Sequence, residues 1–258
     1  MAQTGFDRRR INGPEQSHPP TFGTQDEVEG RWIVGQPRKA RKPMDIRPIF
    51  LQPGLIDQAN GSAYVETERT KIACAVYGPR QTKSTAYHEK GKLNVEVKFT
   101  PFSCERRRAP MRDAEDRSLA VAIHQALLPA VQVELLPKST IDIFLTIIEA
   151  DGIEACVAAG TVAASTALAD AGIEMIGLVM SCAAAVVEQE TWLDPTEEEA
   201  RSARGSLVLS CMPALGTVTS VWQSGKLRPE EVLGCMDACQ ERCSDIHSVV
   251  AQALLENA

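Results

Sequence analysis

Residues 62–77 read SAYVETERTKIACAVY, and this stretch decides the fold class. Apolar, β-branched and aromatic residues lie on both sides of a short charged run, Glu66-Thr67-Glu68-Arg69. This pattern predicts two strands joined by a tight bend. The second strand is apolar at successive positions over 72–76, so both of its faces are apolar.

The elements on either side of this hairpin follow from their periodicities. In chain order they are a half-buried strand at 93–99, a helix at 119–127 ended by Pro129, a buried strand at 141–147, a small-residue helix at 154–171 closed by Gly172, strands around 174–187, 206–212 and 218–223, and an amphipathic helix at 229–256. This order predicts an α+β fold in which helices pack on one side of mixed sheets.

The composition is that of an ordinary globular protein, with 258 residues, 44% hydrophobic and 24% charged. The apolar run at 175–187 is shorter than the ~20 residues of a membrane-spanning helix. The first residues lack the apolar core of a secretory signal, so we expect an intracellular protein with no membrane partner. The net charge of −7 restricts any RNA contact to a local basic patch.

Residues 1–43 combine prolines, glycines and basic residues with few apolar side chains, which predicts a flexible tail. Residues 44–258 are expected to form the folded domain. The basic clusters at 8–10 and 38–42 could contact phosphates. We favour the alternative, a solvated arm.

Cysteines recur four residues apart in the last helix at Cys235, Cys239 and Cys243, and His247 continues the row. The ends of this row are ~18 Å apart on a helix, whereas zinc ligands lie ~2.0–2.3 Å from the metal. We therefore interpret these cysteines as a core stripe and expect no bound metal or cofactor.

Acidic residues cluster at Asp194 and at 197–199, where they could bind a divalent ion. The alternative is that Thr196 caps a short helix and acids in its first turn complete the cap. We favour the cap.

The strongest basic feature of the expected domain is Arg106-Arg107-Arg108, with Lys98 before it and Arg112 after it. Adjacent guanidinium groups repel one another, and a polyanion would relieve that repulsion. A solvated loop paired with Asp113, Glu115 and Asp116 explains the residues equally well. The sequence contains no Walker A loop, no nucleophile elbow and no His-Glu-x-x-His helix.

Several short stretches together resemble the RNase PH family, and within it the ring subunits of the RNA exosome. They are Asp45-Ile-Arg-Pro48, 61–66, 70–80, Pro101-Phe102-Ser103, 106–110, Glu149-Ala-Asp-Gly152, 167–175 and 192–199. Each is weak alone, but their order and spacing run from Asp45 to the end of the chain. The resemblance implies the RNase PH-like fold, which is also that of ribosomal protein S5 domain 2.

The resemblance also implies a missing active site. Active members follow Ala-Asp-Gly with Gly-Thr-Arg, which holds phosphate at a helix N-terminus. Here Ile153-Glu154-Ala155-Cys156 follows, and Glu154 would repel the anion. The acidic residue that active members place at the scissile linkage aligns with Ser206, and an earlier acid aligns with Ala200.

The function implied is that of a non-catalytic ring subunit that lines an RNA channel for 3′→5′ RNA processing and decay. The family's RNA path then assigns RNA contacts to Arg106, Arg107, Arg108, Arg112 and Lys98. The implied partners are other RNase PH-like subunits, S1/KH cap proteins, a hydrolytic exoribonuclease subunit and RNA, in the nucleus, nucleolus and cytoplasm. The alternatives are an active phosphate-dependent 3′→5′ exoribonuclease and a small-molecule enzyme on the same fold.

Overall fold

The computed structural model describes residues 38, 41–81, 89–104, 107–109 and 114–257. The strands are β1 (Phe50–Pro53), β2 (Gly61–Thr67), β3 (Thr70–Gln81), β4 (Lys92–Phe99), β5 (Ser139–Glu149), β6 (Met180–Val187), β7 (Glu190–Leu193), β8 (Gly205–Met212) and β9 (Thr217–Gly225). The α-helices are α1 (Ala114–Leu127), α2 (Ile153–Asp170), α3 (Glu197–Ser202) and α4 (Pro229–Asn257).

The first sheet has five strands in the order β1-β2-β3-β5-β4, and it is mixed because β4 runs parallel to β5. The predicted hairpin is β2 and β3, whose register pairs Val65 with Ile72 and Thr67 with Thr70. Glu68 occupies the bend with a φ of 51°. Helices α1 and α2 cover one face of this sheet, so its strands alternate as the pattern at 93–99 predicts.

The second sheet has four antiparallel strands in the order β7-β6-β8-β9. Every residue of β6 and β8 is buried, because α2 packs on one face and α4 on the other. The expectation that helices cover only one side of the sheets is therefore wrong for this sheet. This two-sided cover explains why both strands consist mostly of apolar residues, with Ser181, Ser206 and Ser210 as the buried polar exceptions.

Helix α2 is the core helix that separates the two sheets. Its apolar length alone would suit a membrane span, but 72% of that stretch is buried inside the protein. Small residues let α2 lie close to the first sheet: a Cβ placed on Gly61 at the start of β2 would lie 2.2 Å from the backbone nitrogen of Ala171 at the C-terminal end of α2. Only glycine fits there.

Candidate functional site

The site begins where β5 ends and α2 starts. Gly152 precedes the first helical residue with a φ of 91°, and no side chain caps the helix. Asp151 is 7% exposed, and one of its oxygens accepts a hydrogen bond of 3.1 Å from the backbone nitrogen of Glu197, the first residue of α3. The loop after β5 therefore joins the N-termini of two helices.

Glu154 lies in the first turn of α2, the place where the resemblance expects phosphate ligands. Its Oε1 accepts a hydrogen bond of 2.6 Å from the hydroxyl of Ser206, which is 4% exposed on β8. The two altered positions that the sequence identifies separately are thus in direct contact. A carboxylate at a helix N-terminus satisfies the positive end of the helix and excludes an incoming anion.

Arg47 connects three of the stretches that carry the resemblance. Its side chain is 1% exposed and lies between Asp151 and Asp194. Its Nε and Nη2 donate to the two oxygens of Asp194 at 2.7 and 2.6 Å, and its Nη1 donates to Asp151. Such a planar fork between two carboxylates requires arginine.

The carboxylate of Asp194 and the guanidinium of Arg47 stay charged at neutral pH. Burial alone would raise the pKa of Asp194, but the hydrogen bonds and charge of Arg47 outweigh it, so the pKa is lowered. Burial opposes the positive charge of Arg47 in the same way, and the two carboxylates outweigh it, so that pKa is raised. The network therefore holds the site together and leaves neither Asp194 nor Arg47 available for proton transfer.

Two arginines of the expected tail also dock on the domain. The side chain of Arg38 is 2% exposed, and its Nε and Nη2 donate to the two carboxylate oxygens of Glu199 at 3.0 and 2.7 Å. Its Cζ lies 4.9 Å from the centre of the Trp192 ring. Arg41 donates to Oδ2 of Asp194 at 3.0 Å. For these two residues the solvated-arm interpretation is wrong. Residues 1–37 lie outside the described residues, and the boundary at residue 43 stays a prediction.

Arg108 is held within the domain. Its Cζ lies 3.9 Å from the centre of the Phe99 ring, and its Nη1 is 2.8 Å from Oε2 of Glu115. Its Nε donates to Cys104 Sγ at 3.2 Å. The alternative of a paired loop therefore describes Arg108, and its charge is largely neutralised before any RNA arrives.

The other residues assigned to RNA differ in their surroundings. Lys98 is exposed on β4 and lies 3.5 Å from Glu96. Arg107 is half-buried and makes no ion pair with the part of the chain that the structure describes. Arg106 and Arg112 lie outside that part. RNA contact by all five residues stays a prediction.

The two nearby clusters with metal-like patterns have structural roles. Thr196 accepts a hydrogen bond from the backbone nitrogen of Glu199 at 3.4 Å, and Glu199 accepts one from the backbone nitrogen of Thr196 at 3.0 Å, which confirms the predicted cap. Cys235, Cys239 and Cys243 are each 0% exposed and pack α4 on the second sheet, which confirms the core stripe.

Sequence reasoning missed what Arg38, Arg41 and Arg47 do. The sequence does carry a signal for Arg47. This charged residue lies in a stretch that resembles the family, between Ile46 and Pro48, and Asp45 is the one acidic residue near it. Arg38 and Arg41 had none, because their partners are 161 and 153 residues away.

Curated relatives resemble the chain over nearly all of its length. The exosome complex component mtr3 of Schizosaccharomyces pombe is 38% identical over 96% of this chain and 96% of its own length. The human exosome complex component MTR3 is 36% identical over 98% and 96%. The archaeal exosome component Rrp41 of Methanopyrus kandleri is 36% identical over 84% and 90%.

Solved structures share the fold. Rice Rrp46 superposes with a TM-score of 0.74 at 21% identity, covering 83% of this chain and 98% of its own. An Archaeoglobus fulgidus exosome with RNA bound to the active site gives a TM-score of 0.72 at 18% identity, covering 81% and 90%. These likenesses confirm the α+β fold of the RNase PH type.

Two family models divide the chain between them. Domain 1 of the 3′ exoribonuclease family matches residues 45–174, which contain the first sheet, and domain 2 matches residues 177–242, which contain the second. Arg47 lies in the first match and Asp194 in the second, so the buried network joins the two halves. The chain belongs to the 3′ exoribonuclease family, also called the RNase PH family.

Proposed function

We propose that the chain is a non-catalytic ring subunit of an RNA exosome, which lends structure and an RNA-lining surface to 3′→5′ RNA processing and decay. The observation that carries the proposal is the contact between Glu154 and Ser206. A phosphorolytic enzyme must hold a phosphate dianion against the RNA linkage. This site presents a carboxylate and a neutral hydroxyl there instead.

The partners follow from the same proposal. The chain pairs edgewise with another RNase PH-like subunit, and three such pairs close a ring capped by S1/KH proteins. A separate hydrolytic subunit cuts the RNA, including ribosomal RNA precursors, in the nucleus, nucleolus and cytoplasm. Two of its relatives are exosome complex components, one of a yeast and one of human, and this supports the assignment.

RNA contact is assigned to Arg106, Arg107 and Arg108, which we call the arginine loop, and to Arg112 and Lys98. Arg107 supports it best, because its charge has no counter-ion among the described residues. Arg108 positions the loop through Phe99 and Glu115. Contacts of this kind bind the backbone of any RNA and weaken with salt.

The first experiment is native mass measurement of the tagged full-length chain after affinity purification. We expect the masses of RNase PH-like partners in a ring assembly. Recovery of the chain only as a monomer contradicts the proposal.

The second experiment tests the alternative of an active phosphorolytic enzyme. The purified chain, with and without its ring partners, is incubated with labelled RNA and inorganic phosphate. We expect no release of nucleoside diphosphates. If nucleoside diphosphates are released and Glu154→Lys changes the rate of release, this chain has a true active site. If the substitution does not change the rate, the activity comes from a contaminant.

A further inference from the structure

Phe102 is an exposed aromatic ring on a firmly held turn. The side chain is 58% exposed, although its neighbour Ser103 is 3% exposed. Thr100 donates from its backbone nitrogen to Ile147 at 2.9 Å and from its hydroxyl to Ile148 at 3.1 Å. These bonds attach the start of the turn to β5.

The end of the turn is attached as firmly. Ser103 donates from its backbone nitrogen to Thr100 at 3.1 Å, and its carbonyl accepts from the backbone nitrogen of Ala150 at 2.9 Å. The backbone nitrogen of Arg108 donates to the carbonyl oxygen of Pro101 at 3.0 Å, which closes the arginine loop next to the turn. The backbone at Phe102 is therefore held beside the loop that carries Asp151.

We propose that Phe102 is a base-stacking platform for single-stranded RNA, and that Arg107 holds the adjoining phosphate. This inference rests on the proposed function and extends it to one residue and one ligand group, the nucleobase. An aromatic face and a neighbouring cation are the two parts of a sequence-independent single-strand site. A backbone that is ordered before binding lowers the entropy lost when a base stacks on the side chain that it carries.

The charges near the turn favour RNA over an apolar protein surface as the occupant. Arg107 follows Phe102 by five residues, and the hydrogen bond between the backbones of Arg108 and Pro101 brings the backbone of Arg107 back near that of Phe102. Arg108 is already paired with Glu115, so of the two described arginines that follow this turn, Arg107 is the one whose charge a phosphate would neutralise.

The test compares two probes on the reconstituted ring particle. One is an oligouridylate, and the other is an abasic ribose-phosphate oligomer of the same length and charge. Phe102→Ala should weaken oligouridylate binding at least ~5-fold, the lower end of the loss for one stacked base, and leave abasic binding unchanged. Phe102→Trp should retain the binding of both.

Arg107→Ala gives the contrasting result. It should weaken both probes and reduce the salt slope of binding by about 1, whereas Phe102→Ala leaves the slope unchanged. Phe50→Ala is the matched control, because Phe50 is 56% exposed on β1, at the opposite edge of the first sheet from β4, the strand that leads into the turn of Phe102. We expect it to bind both probes as the unmodified particle does.

Two outcomes overturn the inference. One is an intact Phe102→Ala particle that binds oligouridylate as tightly as the unmodified one. The other is loss of ring subunits on Phe102→Ala, which makes Phe102 a protein contact. Failure of the proposed function gives a different result, because the unmodified chain would then form no ring-shaped particle with other subunits.

Discussion

The hydroxyl of Ser206 and the carboxylate of Glu154 form one hydrogen bond of 2.6 Å, between residues 52 positions apart in the chain. The bond joins β8 of the second sheet to the first turn of α2. Restoring a phosphate site at α2 by removing the carboxylate would leave the buried hydroxyl without its acceptor. The two altered positions therefore stabilise each other, and neither can revert alone without a cost in folding free energy.

Glu154→Ala should lower the free energy of unfolding by about 1–3 kcal/mol, because it strands a buried hydroxyl. Glu154→Gln keeps an acceptor oxygen and should cost less. Urea unfolding of the purified full-length chain measures both, and Ser206→Ala completes a double-mutant cycle. Equal losses for the Ala and Gln variants would show that the hydrogen bond is unimportant.

Local patterns were enough to predict most of the fold. The alternating β4 and the amphipathic helix α4 follow from their periodicities, the hairpin of β2 and β3 from apolar runs on both sides of a charged bend, and α2 from a long run of small apolar residues closed by Gly172. Strands β1 and β7 were missed, because each has four residues and so shows no period. The cover on both faces of the second sheet was missed because periodicity gives no tertiary partner.

The site was predictable only in part. The resemblance located Glu154 and Ser206 in the chain, but their contact depends on how α2 packs on β8. The pairing of Arg108 was left open beside the RNA interpretation, since the sequence places arginines and acids near each other without choosing partners. The long-range ion pairs of Arg38 and Arg41 depend entirely on the fold.

Arg47→Met should cost about 3–5 kcal/mol of folding free energy, because it removes the buried guanidinium that lies between the carboxylates of Asp151 and Asp194. Arg47→Lys should rescue little, since a lysine cannot donate to both oxygens of Asp194 as a fork. Arg201→Ala is the control, because that side chain is 71% exposed and its pair with Glu197 should contribute less than ~1 kcal/mol. Urea unfolding compares all three, and similar midpoints for Arg47→Met and Arg201→Ala contradict the prediction.

Truncation tests the docking of the N-terminal segment. A chain starting at residue 38 keeps the pairs of Arg38 with Glu199 and Arg41 with Asp194, whereas one starting at residue 44 loses both. We expect the shorter chain to have a lower melting temperature than the longer one. Arg38→Ala with Arg41→Ala in the full chain should reproduce that loss, and equal stability of the two truncated chains would count against docking.

Acid should destabilise the chain through carboxylates whose pKa is lowered by folding. Arg204 and Arg228 lower the pKa of Glu231 from 4.5 to about 2. A group of this kind stabilises the folded state above its unfolded pKa, and the contribution is lost as the pH falls through the folded value. The stability of the chain should therefore decline between pH 4.5 and 2, and Asp194 should add to the decline below its ordinary value of 3.8.

Glu231→Gln isolates one part of that decline. The substitution removes the titrating group, so the urea midpoint should fall less steeply with pH below 4.5 than it does in the unmodified chain. Measurements at pH 7, where both chains have their other charges intact, give the reference. Parallel curves for the two proteins would mean that Glu231 does not gain its partners on folding.

Thiol reactivity tests the packing of α4. Seven of the eight cysteines are buried, and Cys104 is the one that solvent reaches in part. The thiolate is the reactive form, and burial raises the pKa of thiols such as Cys74 and Cys156, so they lack both access and ionisation. An aromatic disulfide reagent should therefore label about one thiol per folded chain rapidly, and Cys104→Ser should abolish that phase. Rapid labelling of Cys235, Cys239 or Cys243, located by peptide mass mapping, would mean that α4 separates from the second sheet, because all three lie in that interface.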